Sequence, residues 1–168
     1  MRPSIRLALV ACIATCAASS AFAQTLIEEK KSLTGFAARK IIETCIAQAT
    51  RDHYPIALAV VNPAGYLLSY QAMDGATGNT GVTAQLKAKT AAKFRRSTAE
   101  LYERANKQEN RAPEWMGYFP VPGGYPIMAG GEVVGAIGAG GAVGNQDDQC
   151  AQAAIKAVFP NASTGRAS

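Results

Sequence analysis

Apolar positions change their period several times along the chain, and each change marks an element. In SLTGFAARKIIETCIAQATRD (residues 32–52), Ile41, Ile42, Cys45, Ile46 and Ala49 recur at helical spacing, with Thr34 placed to cap the first turn. This predicts a helix. The β-branched run IALAVVN (Ile56 to Asn62) and YLLSYQAMD (Tyr66 to Asp74) flank the turn residues NPAG and predict a β-hairpin. After Gly75 the texture becomes GVTAQLKAKTAAKFRRSTAELYERANK, where Ala and Lys with Val82, Leu86 and Phe94 favour helix. Ser97-Thr98-Ala99-Glu100 resembles a capping box that starts a second helix after a bend.

NRAPEWMGYFPVPGG (residues 110–124) then breaks the helical pattern with prolines and glycines. Met116 to Val121 reads as a loop or an edge strand. In GGYPIMAGGEVVGAIGAGG (residues 123–141), Gly130-Gly131 suits the positive φ angles of a tight hairpin turn, so YPIMA and EVVGAIGA form a second hairpin. The stretch is a weak phosphate loop. GxGxxG fails because the third glycine would fall at Val143, and no Walker lysine follows. Glycine inside a strand more often marks a bulge or a close approach of another backbone or a ligand. Finally, GNQDDQCAQAAIKAVFP predicts a helix with Asn145 as N-cap, Asp147 and Asp148 in the positive first turn, and an end before Pro160.

The order is helix, hairpin, two helices, strand or loop, hairpin, helix. Hairpin-linked strands make the sheet antiparallel, and the terminal helices can cover one face while the middle helices cover the other. The fold class is α+β in three layers. With Met116–Val121 counted as a strand, it is an α/β/α sandwich on a mainly antiparallel five-stranded sheet.

The 168 residues, 48% hydrophobic and 17% charged, suit one globular domain. Residues 1–23 fall outside it: Arg2 and Arg6 form a positive start, Leu7 to Ala18 an apolar run, and Ala21-Phe22-Ala23 a cleavage site before Gln24. That is an export signal. Leu9-Val10-Ala11-Cys12 has lipobox-like chemistry, but cleavage there would leave too short an apolar run. The expectation is a domain over 24–160, a structureless tail over 161–168, a periplasmic or secreted location, and no membrane attachment after cleavage. Without Arg2 and Arg6, Lys+Arg falls from 17 to 15 against 12 Asp+Glu, so the net charge is +3 rather than +5. Lys87, Lys89, Lys93, Arg95, Arg96, Arg104, Lys107 and Arg111 concentrate that charge in one stretch. Such a patch meets nucleic acid, lipid or an anionic small molecule, or is a solvated helix face. Export argues against nucleic acid.

Cys12 and Cys16 leave with the signal, so Cys45 and Cys150 remain, each in a predicted helix. They either bridge, closing a loop of roughly 100 residues worth about 5 kcal/mol in the chain-entropy treatment, or stay as two buried thiols.

Taken together, ALAVVNPAGYLLSYQAMDGAT, AKTAAKF, GGYPIMAGGEVVGAIGAGG and DDQCAQAAI resemble the GlcG/HbpS-type haem-binding family, which includes the C-terminal domain of certain corrinoid adenosyltransferases. The resemblance spans roughly residues 32 to 159. It implies a profilin-like sheet between helices, assembly into homo-oligomers, and haem binding by at least some members, several of them exported. By the same resemblance, the segment Phe94-Arg95-Arg96-Ser97-Thr98 corresponds to one that contacts haem in one branch. Guanidinium groups of Arg95 and Arg96 can pair with propionates, and the hydroxyl of Thr98 can hydrogen bond. Asn62 stands where many relatives carry aspartate, which weakens any acid–base role borrowed for that position.

His53, the single histidine, is the residue type most often found as an axial haem ligand, and the loop TRDHYP equally suits an exposed histidine at a helix end. Tyr102, Tyr118, Tyr125, Met73 and Met128 are the alternative ligands or are packing residues. No nucleophile elbow, HExxH, CxxC or P-loop is present, and Glu114 and Glu132 form an acid–base pair only if folding joins them. The sequence therefore predicts an exported haem-binding or haem-sensing protein with haem or another anionic small molecule as partner. The alternative is a small-molecule enzyme or accessory subunit of a periplasmic oxidation system, suggested by the glycine-lined hairpin.

Overall fold

A computed structural model of the chain describes residues 29–108, 111–142 and 145–164. The expected signal over residues 1–23 lies outside the described residues. The chain divides after Lys30, and the elements of the fold all belong to the unit from Lys31 onward. They are α1 (Gly35–Arg51), β1 (Ala57–Val61), β2 (Leu67–Ala72), α2 (Gly78–Phe94), α3 (Thr98–Gln108), the single turn α4 (Ala112–Trp115), β3 (Gly124–Ala129), β4 (Glu132–Gly140) and α5 (Gln146–Val158). The strands form one antiparallel sheet in the order β2-β1-β4-β3.

Local chemistry sets the boundaries. The Thr34 hydroxyl accepts from the Ala37 N–H at 3.1 Å and opens α1. Ser97 Oγ accepts from the Glu100 N–H at 3.1 Å and opens α3, whereas the Glu100 carboxylate pairs with Arg96 instead of closing the box. Gly130 and Gly131, at φ +61° and +79°, make the β3–β4 turn. In the first hairpin, Asn62 Oδ1 accepts from the Tyr66 N–H at 2.9 Å, so this side chain is spent on the turn. Asn145 makes no side-chain cap at α5; the carboxylate of Asp147 turns inward instead.

Two different cores flank the sheet. On one face α1 and α5 bury Ile41, Ile42, Ile155 and their neighbours against Leu58, Val60, Ile127 and Ile137. Cys45 and Cys150 form a disulfide there, with Cα atoms 5.3 Å apart, joining the first long helix to the last. On the other face α2 lays Ala84, Ala88, Ala91 and Ala92 on Ala57, Ala59, Val61 and Ala136. The glycines of β4 explain how close this second contact is. A Cβ on Gly138 would stand 2.0 Å from the Ala84 carbonyl oxygen and 2.5 Å from the Ala88 nitrogen. The glycine pattern thus seats a helix backbone.

The sheet has four strands rather than the expected five. Met116–Val121 does not join it because its donors are used elsewhere: the Phe119 N–H bonds Thr90 Oγ1 at 2.8 Å, and the Val121 N–H bonds the Phe119 carbonyl at 2.9 Å. Pro120 has no N–H to offer a ladder. Tyr118 in this loop packs edge-on against Phe94, with centroids 5.0 Å apart. After α5, Met128 donates to the Ser163 carbonyl at 3.0 Å, so the chain crosses the outer edge of β3.

Candidate functional site

The six candidate residues fall into three places. Arg95, Arg96 and Tyr102 lie at the corner where α2 gives way to α3. Arg95 is the C-cap of α2 in the left-handed region, φ +55°, and its side chain is exposed. This turn reverses the chain and lets α3 fold back over α2 and β3. Arg96 is held by Glu100 one helical turn later, and Arg104 Nε lies 3.9 Å from the same carboxylate. Tyr102, 48% exposed, faces outward.

Tyr102 borders an open cleft of about 530 Å³ between α3 and α4, completed by Ala105, Asn106, Arg111, Glu114 and Trp115. Trp115 is 83% exposed. Arg111 Nε donates to Glu114 Oε2 at 2.8 Å, and that bond, with the carboxylate charge, raises the guanidinium pKa further. The cleft therefore offers flat aromatic faces beside the Arg111 guanidinium. Ligand sites commonly occupy roughly 300–1,000 Å³ and combine apolar walls with a few placed polar groups.

Thr98 and Tyr125 point inward. The Gly124 N–H donates to Thr98 Oγ1 at 2.8 Å, tying the start of α3 to the start of β3. The Tyr125 hydroxyl accepts from Gln152 Nε2 at 2.9 Å. Burial, and then the nearby Asp148 carboxylate, push its pKa up to about 12. Burial likewise raises Asp148, against the opposing pull of the Gly123 N–H, Tyr125 and Lys87.

His53 occupies the third place, in the turn between α1 and β1, exposed and at φ +57°. Glu114 pairs with Arg111 on α4 while Glu132 stands 4.0 Å from Lys31 at the β3–β4 turn, so the two carboxylates serve separate ion pairs. Among the described residues, no group of three or more His, Cys, Asp or Glu could hold a metal ion. No helix among them is long and apolar enough to cross a membrane.

One polar cluster lies outside the sequence-based expectations. Lys87, 4% exposed, donates to the Ala139 carbonyl at 2.7 Å and to Asp147 Oδ2 at 2.9 Å, while Asp147 Oδ1 accepts from the Ala142 N–H at 3.1 Å. This pair bridges α2 on one face and α5 on the other around the end of β4. Gly123 makes room for it, since a Cβ there would stand 2.9 Å from Lys87 Nζ. The sequence does carry a signal: Lys87 comes after Thr80 and Ala84 and before Ala91 at the spacing of a buried helix stripe. The glycine face expected to admit a ligand is occupied by α2.

Residues 33–156 match the family described as haem degrading protein HbpS-like. Protein GlcG of Escherichia coli K12 is 30% identical over 101 residues, covering 60% of this chain and 75% of its own. Among solved structures, a double mutant of Streptomyces reticuli HbpS superposes with a TM-score of 0.74 at 31% identity, covering 79% of this chain and 90% of that one. A PduOC:haem complex has the same fold, with a TM-score of 0.74 at 22% identity over 80% of this chain and 99% of the other.

Proposed function

The chain belongs to the HbpS-like family of haem proteins, and we propose that it is an exported protein that binds or senses haem through the α2–α3 corner and the adjoining cleft. The observation that supports this surface is the cleft in which Arg111 stands with the exposed rings of Tyr102 and Trp115, Tyr102 being on the helix that begins just after Arg95 and Arg96. Haem is a flat apolar disc carrying two carboxylates. Its chemistry asks for ring faces and forked cations side by side.

Each residue has a distinct task in this reading. Arg95, exposed at the C-cap of α2, would pair with a propionate. Arg96 holds the same charge within an ion pair that a propionate would have to share with Glu100. Tyr102 and Trp115 supply the stacking faces, and Tyr102 also brings a phenolic oxygen, a ligand type that haem iron accepts. Bound haem would supply the redox-active iron. His53 sits in a different loop, so haem binding here does not require it. Thr98 acts indirectly, fixing the start of α3 to the sheet.

Titration of the purified full chain with haem, followed by Soret absorption, tests the reading. A saturable Soret shift is expected, weakened about tenfold or more in Arg95→Ala/Arg96→Ala, as the loss of one or two charge-assisted bonds predicts. His53→Ala should leave it unchanged, and Tyr102→Phe should alter the band if the phenol meets iron. A featureless, non-saturating response refutes the proposal.

A further inference from the structure

The arginines around the cleft differ in what already holds them. Glu100, on α3, serves Arg96 and stands 3.9 Å from Arg104 Nε. Glu114 instead lines the cleft itself, together with Arg111, Tyr102 and Trp115. Its Oε2 accepts from Arg111 Nε at 2.8 Å and from Arg111 Nη2 as well. Those two donors form one edge of the guanidinium, the fork with which arginine grips a carboxylate. While the cleft is empty, its own carboxylate occupies that fork.

Backbone geometry keeps the pair together. The Arg111 carbonyl accepts from the Glu114 N–H at 3.0 Å and from the Trp115 N–H at 3.3 Å, which makes the single turn of α4. Residues three apart on such a turn are neighbours. Pro113 is buried beneath the turn, and its carbonyl accepts from the Tyr118 N–H at 3.0 Å, so the loop that follows is tied to it. Glu114 therefore stays within reach of Arg111 whether or not the cleft is filled. A carboxylate tethered this closely acts at an effective concentration of millimolar order or above, which a small dissolved acid has to exceed. The same pair is exposed to solvent, the Arg111 side chain by 63%, and exposed pairs are weak enough to be opened by a ligand with a second hold on the site.

We propose that Glu114 is an internal competitor that sets which anions the cleft accepts. It fills the Arg111 fork in the empty cleft and turns aside when a carboxylate carried on a flat ring enters. The rings of Tyr102 and Trp115 give such a ligand its second hold, through aromatic contact that a small acid cannot make. The cleft thus selects ring and carboxylate in one molecule and ignores the carboxylate by itself. This inference rests on the haem reading of the cleft and adds to it the residue that determines specificity.

Soret titrations of the purified full chain with haem test it, run in sodium propionate and in sodium chloride of equal ionic strength. Glu114→Gln should bind haem about threefold to fivefold more tightly than the unaltered chain, the range an exposed ion pair spans. Propionate, which is the haem side group without the ring, should weaken haem binding to Glu114→Gln beyond the chloride control and leave the unaltered chain at the chloride level. Arg111→Ala should weaken binding, and adding Glu114→Gln to it should bring no further gain, because the competitor acts only through Arg111. If haem saturates the unaltered chain while Glu114→Gln binds no more tightly, or gains equally without Arg111, the inference is overturned and the haem reading stands. If haem saturates neither the unaltered chain nor Glu114→Gln, both are overturned together.

Discussion

Replacing Asp147 with alanine should damage this fold more than any change at its surface. Lys87 is 4% exposed, and its ammonium has the Asp147 carboxylate at 2.9 Å and the Ala139 carbonyl at 2.7 Å as partners. Removing the carboxylate leaves a buried cation with a neutral acceptor, a change that costs about 3–5 kcal/mol in comparable buried pairs. The Ala142 N–H loses its acceptor as well, which adds about 1 kcal/mol if water does not replace it. Native domains are stable by only about 5–15 kcal/mol, so the loss is a large share of the whole. In urea, with a slope of about 1.5–2 kcal/mol per molar, the midpoint should fall by roughly 2–4 M at unchanged slope. Lys87→Met combined with Asp147→Leu should recover most of the loss, since an apolar pair of similar volume leaves no charge behind. The reasoning is refuted if Asp147→Ala costs under about 1 kcal/mol, or if the double variant is no better than the single.

Gly138→Ala should destabilise by about 2–4 kcal/mol in the same urea assay, because the atoms 2.0 and 2.5 Å away belong to helix backbone and α2 must lift from the sheet. Reducing the Cys45–Cys150 bridge, or replacing both residues with alanine, should cost up to about 4.7 kcal/mol for a sequence separation of 105 residues, measured as the fall in Tm with and without reductant. Tyr125, with its pKa pushed up to about 12, keeps its proton in the folded chain while the unfolded chain loses it near pH 10. Stability should therefore fall as pH rises from about 10 to 12, by roughly 1–2 kcal/mol, and Tyr125→Phe should flatten that slope in alkaline unfolding curves.

Much of the architecture is legible in the sequence because its signals are local. Thr34 as a cap, Gly130-Gly131 as a turn and the apolar stripe of α1 each depend on residues within a turn of one another, and each appears where the pattern predicts. The fifth strand fails on a nonlocal fact: Thr90, far along the chain on α2, takes the Phe119 N–H that a ladder would need. Lys87 reads as one of a run of surface cations when charge alone is weighed, although its helical phase puts it on the alanine stripe. Asp147 reads as a helix-dipole residue, and only the fold brings it to Lys87. The candidate site is half legible. Arg95, Arg96 and Tyr102 are close in sequence at the α2–α3 corner, whereas Trp115 and Arg111 join Tyr102 in one cleft only because the fold brings α4 against α3, which composition does not encode.

The disulfide also bears on how the chain is completed. Synthesis delivers α1 first and α5 last, so Cys45 has no partner until almost the whole domain exists, and one face of the sheet awaits the same helix. A chain cut short between the end of β4 and residue 150 would leave Cys45 without Cys150 and Leu58, Val60 and Ile137 without the cover of α5. Closure of a single covalent bond therefore reports that the entire chain, from its first long helix to its last, has arrived and docked, and thiol-reactive quality control could sort finished molecules from fragments by that bond alone.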